Sequence, residues 1–376
     1  IGLPLAACDS AVQPETPSEV AEPQAAAPAP RQDAAEAALP ESHPRRNLYW
    51  GDTHLHTSDS PDAFLLQNRT ADPDTAYRFA KGLPVVHPYH RARIQIGTPL
   101  DFLVVSDHAE FMGVVPKILQ GDPLVTGTPT GKRYQEMAAA GREIEVFGEL
   151  IAQVNGVVPV NPDLGSPEIS RTIWGEIMDA ADRHNDPGNF TAFMGWEWSS
   201  TPNGANLHRV IVMREGRETG DRFIPYSSLD SDKPEDLWKW LETTSQATGA
   251  HLLAIPHNSN ISQGLMFPLQ DSKGDALTPE YAAQRMKWEP LVEMTQIKGD
   301  SETHPILSST DEFADYETYD HLIEVEGTAQ RALFSDGFLG ELSAADRKYV
   351  EKHEERVAKV GDYARPALMR GLAIED

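Results

Sequence analysis

From residue 47 onward, short runs of consecutive apolar residues alternate with segments of helical spacing. The runs cover residues 47–50, 101–105, 191–196, 209–213, 251–255 and 291–297. They do not alternate with polar residues, so they predict strands covered on both faces, as in a parallel sheet shielded by crossover helices. Between them, residues 169–184 carry apolar side chains at helical spacing. Residues 234–248 predict a second helix, with Asp232 as its cap and Pro234 in its first turn. Residues 132–154 predict a further helix inside a long insertion, either a lid or a contact between copies. The predicted class is α/β.

The polar residues at the ends of these runs carry more information than the runs themselves. His54 and His56 follow the first run, within Gly51-Asp52-Thr53-His54-Leu55-His56-Thr57, and Asp107-His108-Ala109-Glu110 follows the second. Glu197 lies between Trp196 and Trp198 at the end of the third, His208 precedes the fourth, and His257-Asn258 follows the fifth. In a strand, residues i and i+2 share a face, so His54 and His56 point the same way. Parallel α/β barrels collect their chemistry at the carboxyl ends of strands, which is where most of these residues fall.

Such a set of His, Asp and Glu suits Zn²⁺, Mn²⁺, Fe²⁺ or Mg²⁺. Its members outnumber what one tetrahedral ion can use, so two or three ions sharing a bridging carboxylate are expected. A carboxylate between two tryptophans is costly when unpaired, and a metal at Glu197 removes that cost. Asp107 is either a ligand or the partner that fixes the tautomer of His108. Glu110 is either a ligand or an exposed residue opening the next element. His87, His90, His184, His304 and His353 are expected at the surface.

Charge narrows the partners. The 376 residues hold 58 acidic against 32 basic side chains, a formal charge of −26. That excess disfavours nucleic acid and anionic membrane, which need basic patches. The single cysteine, Cys8, ends Leu5-Ala6-Ala7-Cys8, a stretch that resembles a bacterial lipoprotein box. Residues 1–8 are then the remnant of a signal peptide, with Cys8 the lipidated residue of a membrane-tethered periplasmic protein. Residues 9–45, rich in Ala, Pro, Glu and Gln, hold too few large apolar residues to offset the entropy of ordering, so they predict a tether. The folded domain is expected over residues 46–376.

Gly-Asp-Thr-His-Leu-His-Thr at 51–57, Ser-Asp-His-Ala-Glu at 106–110 and Pro-His-Asn at 256–258 resemble the PHP (polymerase and histidinol phosphatase) superfamily of metal-dependent phosphoesterases. More closely, Leu100-Asp101-Phe102, Gly195-Trp196-Glu197-Trp198, residues 296–302 and Asp362-Tyr363-Ala364-Arg365 make the chain similar to the bacterial domain-of-unknown-function family 3604. The resemblance implies a distorted (β/α)7 TIM-like barrel with helical insertions and a trinuclear site. Carried onto matching positions, it gives His54, His56 and Glu197 to a first metal. Glu197, His208 and His257 go to a second, and Asp62 with His108 to a third. Asp62 stands where histidine is commoner. Nothing after His257 matches the superfamily's last Asp-x-His pair, since Thr303-His304 and Asp320-His321 lack its spacing. The domain is therefore expected to be incomplete at its C-terminus, with fewer metals or an open barrel.

The resulting expectation is a metal-dependent hydrolase of small anionic phosphate esters, acting through a metal-bridging hydroxide. Asp107 or Glu110 would orient the water, and Arg209 and Lys298 would contact the phosphate. Two alternatives stay open: an amidohydrolase-like or sulfatase-like metal hydrolase, and a periplasmic lipoprotein that binds metal or ligand without chemistry.

Overall fold

The structure, a computed structural model, describes residues 47–65, 67–319 and 359–375. Cys8, the tether expected over residues 9–45, Asp320-His321 and His353 lie outside the described residues. Five strands make the central sheet: β1 (Gly51–Leu55), β2 (Phe102–Val105), β3 (Thr191–Trp198), β4 (Arg209–Met213) and β5 (Leu252–Pro256), hydrogen-bonded in that order. The first three are parallel, and β4 runs antiparallel to both β3 and β5. The result is a curled, mixed half-barrel, and the described residues form no complete barrel.

The all-parallel expectation is thus corrected at β4. Trp198 and Arg209 are joined by a link whose only regular element is one 3-10 turn, Pro202–Gly204. A parallel neighbour needs a crossover of about a dozen residues or more, usually helical, so this chain turns back instead. The first strand also starts later than predicted, since Leu48, Tyr49 and Trp50 are exposed and pairing begins at Gly51. Of residues 291–297 only Thr295–Gln296 pairs, with Gly299–Asp300 outside the main sheet, and Leu291, Met294 and Ile297 are exposed. The helix expected over 132–154 is two, Pro129–Ala139 and Glu143–Val154, parted near Gly141 at φ +74°. Helix Pro234–Thr248 keeps its predicted span, but Lys233, not Asp232, holds the N-cap.

Two glycines let the strands approach. A Cβ on Gly51 would meet the Phe102 ring at 2.4 Å, and one on Gly195 would meet Val104 at 2.5 Å and the Ile211 carbonyl oxygen at 2.6 Å. Helices Pro73–Ala80 and Pro167–His184 pack on each other and on β2 and β3. Trp174, Trp196, Trp198 and Trp238 are fully buried. Their indole N–H groups donate to Gly220 O, Tyr226 O, Ser231 O and Glu289 Oε1, so none is left unsatisfied. Alternation along β3 turns Glu197 to the face opposite Trp196 and Trp198. No helix among the described residues is long and apolar enough to cross a membrane.

Candidate metal centre

Backbone pairing continues past the strand ends and fixes what sits there. Ser106 N donates to Leu55 O at 2.8 Å, Glu197 N to Asp107 O at 3.0 Å and Ala109 N to Glu197 O at 2.8 Å. His108 is thereby bridged to Glu197 beyond β2. Between β4 and β5, Arg209 faces Pro256, so the next positions outward are His208 and His257, joined by His257 N to His208 O at 3.4 Å. Because β4 is reversed, the residue before it reaches the same rim as the residues in or just after the carboxyl ends of the other four strands.

Five imidazoles converge there on one carboxylate. Glu197 Oε2 lies 3.1 Å from His54 Nε2 and 2.9 Å from His56 Nε2, and these two nitrogens are 3.1 Å apart. Glu197 Oε1 lies 2.6 Å from His208 Nδ1 and 3.3 Å from both His108 Nδ1 and His257 Nε2. Asp62, on helix Pro61–Leu65, brings Oδ2 to 3.2 Å from His108 Nε2 and Oδ1 to 3.9 Å from His56 Nδ1. Three groups follow, each with donor atoms within 4.8 Å of one another: His54, Glu197 and His257; His108, Glu197 and His208; His56, Asp62 and His108.

These residues fit divalent ions. Donors about 2.0–2.1 Å from a shared tetrahedral ion stand roughly 3.3 Å apart, close to the separations around Glu197 Oε2. His208 Nδ1 is buried and approaches Glu197 Oε1 without hydrogen-bond geometry, and has no other hydrogen-bond partner among the described residues. A buried imidazole nitrogen and a carboxylate oxygen facing one space form an arrangement that suits a cation. Glu197, where the sequence led us to expect a bridging carboxylate, belongs to two of the three groups.

Electrostatics within the cluster are divided. Burial opposes a charge on His54, but its hydrogen bonds to Glu197 and Glu293 and their charges outweigh that and push it up to about 9. His108 is raised well above the usual range in the same way, burial being overcome by the charges of Glu197 and Asp62. Burial and the charge of His54 drive His257 down to about 3, and burial also lowers His208. Glu197 and Asp62 are held far below the carboxylate range despite burial, Glu197 chiefly by the imidazoles and Asp62 by His108, His56 and Lys298.

The other predicted residues stand further back. Buried Asp107 accepts from Thr57 N at 2.6 Å, Thr57 Oγ1 at 2.7 Å and Ser60 Oγ at 2.8 Å, and Ser60 Oγ lies 2.8 Å from His56 Nδ1. It therefore supports His56 through Ser60. Glu110 is buried, and its Oε1 accepts from Ser199 N at 3.2 Å and Ser228 N at 2.6 Å, which ties two loops together. Arg209 is not directed at the cluster: its buried guanidinium pairs with Glu289 Oε1 at 2.9 Å and donates to Leu207 O. Lys298 is half-buried with its charge felt at Asp62. His87, His90, His184 and His304 belong to none of the three groups.

Three contributors were missed from the sequence, and Ser60 behind His56 is one. Glu293 Oε2 sits 2.8 Å from His54 Nδ1, and Ser199 Oγ contacts His108 Nδ1 and lies 3.3 Å from Glu197 Oε1. Glu293 lies in the apolar run 291–297, the same signal of a lone carboxylate among apolar residues that marks Glu197. Its backbone N–H donates to Pro256 O at 3.0 Å, which brings it beside the end of β5.

No curated protein and no solved structure matches the chain. Residues 43–376 match the model of a family described as a protein of unknown function, DUF3604, and the chain belongs to that family.

Proposed function

We propose that this chain is a metal-dependent hydrolase of phosphate esters whose cluster holds two or three divalent ions, Zn²⁺, Mn²⁺ or Fe²⁺. The observation that carries the proposal is Glu197, with five imidazole nitrogens at 2.6–3.3 Å from its two oxygens. His54, His56, His257 and Glu197 would hold one side of the cluster, His108, His208 and Glu197 another, and Asp62 with His56 and His108 the third. Divalent ions in such a site supply an activated water near neutral pH and neutralise charge on phosphoryl oxygens.

The chain's own residues prepare the donors. Glu293 on His54 Nδ1 and Ser60 on His56 Nδ1 hold the tautomers that turn both Nε2 atoms toward Glu197. Lys298 adds a positive charge beside Asp62, suited to an anionic ester in a protein of strongly negative charge. The choice of phosphate esters draws its support from the motif likeness to the PHP superfamily and from the hard, carboxylate-containing donor set. The stretch before Cys8 supports a further proposal, a lipid-tethered periplasmic location.

The test is hydrolysis by chain reconstituted with each ion, against aryl phosphate mono- and diesters, aryl sulfates, amides and lactones. Phosphate ester turnover that disappears in Glu197→Gln supports the proposal. Turnover of sulfates, amides or lactones alone moves the chain to another hydrolase class. Full metal loading with no turnover of any of them makes it a binding protein.

A further inference from the structure

A cavity of about 460 Å³ lies next to the cluster, between the segment after helix Glu143–Val154 and the loops carrying Thr201 and Ser228. Its volume falls in the range of roughly 300–1,000 Å³ typical of small-molecule sites. Thr201 belongs to both places: it lines the cavity, and its Oγ1 is 3.4 Å from His208 Nε2. Glu110 braces the junction, since its Oε1 holds Ser199 N beside the cluster and Ser228 N in the cavity wall.

The lining is chemically mixed. Val158, Val160 and Leu229 give it apolar surface, and Thr201 gives it a hydroxyl. Among the lining residues Asp232 alone carries a charge, and it is negative. A second anionic group would meet Asp232 and no cation, while an uncharged ring or chain would cover the valines and the leucine.

We propose that this cavity receives the organic portion of the ester handled at the cluster, and that this portion is uncharged and partly apolar. The substrate class is then phosphate esters of neutral aryl or alkyl alcohols, and sugar bisphosphates and other polyanions are poor substrates. The inference rests on the hydrolase reading above for the ester itself, but the cavity's preference is measurable without turnover.

The probes are 2-naphthol and its anionic counterpart 6-hydroxy-2-naphthoate, titrated by fluorescence into the full chain. Val158→Trp fills the cavity from an exposed position, and Asp232→Lys reverses its charge. Wild type is expected to bind naphthol saturably and to bind the naphthoate about tenfold more weakly, a difference of about 1.4 kcal/mol. Val158→Trp should weaken naphthol binding about tenfold with metal content unchanged, and Asp232→Lys should recover the naphthoate. Naphthol binding unaffected by Val158→Trp, or equal affinity of wild type for both probes, overturns the assignment. If the probes behave as expected while metal-loaded chain leaves 2-naphthyl phosphate intact, the phosphate ester reading falls and the cavity's preference for neutral groups stands. If the ester is cleaved while the probes ignore both substitutions, the cavity assignment alone falls.

Discussion

Loading the cluster with metal at pH 7 should expel about two protons, and the structure says which ones. Metal binding needs neutral imidazoles. His54, pushed up to about 9, is almost fully protonated at pH 7 in the metal-free chain, and His108, raised well above its usual value, joins it. His208 and His257 are lowered and already neutral. Removing the His54 proton two units below its pKa costs about 3 kcal/mol, at 1.36 kcal/mol per unit. With two protons displaced, the apparent affinity should rise about a hundredfold per pH unit near neutrality, and the share due to His54 should end as the pH passes about 9. Titration calorimetry with Zn²⁺ in buffers of different ionisation enthalpy reads the number directly. Stability of the metal-free fold runs the opposite way with pH: a raised pKa stabilises it below the unfolded value near 6.5. That contribution, about 3 kcal/mol for His54, is lost as the pH rises through 9. Proton release near zero at pH 7, with full metal uptake, would refute this electrostatic account.

Glu293→Gln should weaken metal binding about 10- to 100-fold, the usual effect of losing a carboxylate behind a ligating histidine, in a competition assay with a chelating dye. Gly51→Ala places a methyl 2.4 Å from the Phe102 ring and should destabilise by about 1–3 kcal/mol in urea denaturation. Arg209→Met leaves Glu289 with Arg285 and Trp238 as partners; it should cost about 1–3 kcal/mol of stability yet leave metal content per folded chain unchanged. Lost metal in that variant would place Arg209 in the cluster after all.

The cluster was legible because it is written locally. Each ligand-bearing rim position follows or precedes a short apolar run, and a run that ends in His or Glu needs no distant information to be noticed. His54, His56, His108, Glu197, His208 and His257 were all visible in this way, and they do meet at one rim. Asp62 has no such run beside it, and only the family resemblance pointed to it. Strand direction is different, because it depends on which neighbour a strand pairs with. Even so, the helix-poor link between Trp198 and Arg209 was a usable sign that β4 turns back. Arg209 was misjudged because its partner Glu289 is remote in sequence, and the ion pair exists only once helix Pro279–Trp288 delivers that carboxylate. The apolar run 291–297 also misled: exposed Ile297 and Met294 look like strand residues, while Glu293 is the one the site uses.

If Glu197 and the five imidazoles form a centre for two or three ions, removing the carboxylate empties it. The most direct measurement is metal content per chain by mass spectrometry after loading with Zn²⁺, Mn²⁺ or Fe²⁺ and removal of excess, for wild type beside Glu197→Gln. Two or three ions in wild type and almost none in the folded variant is the predicted result. A wild-type chain that retains no ion, or a Glu197→Gln chain that keeps its full complement, would contradict it.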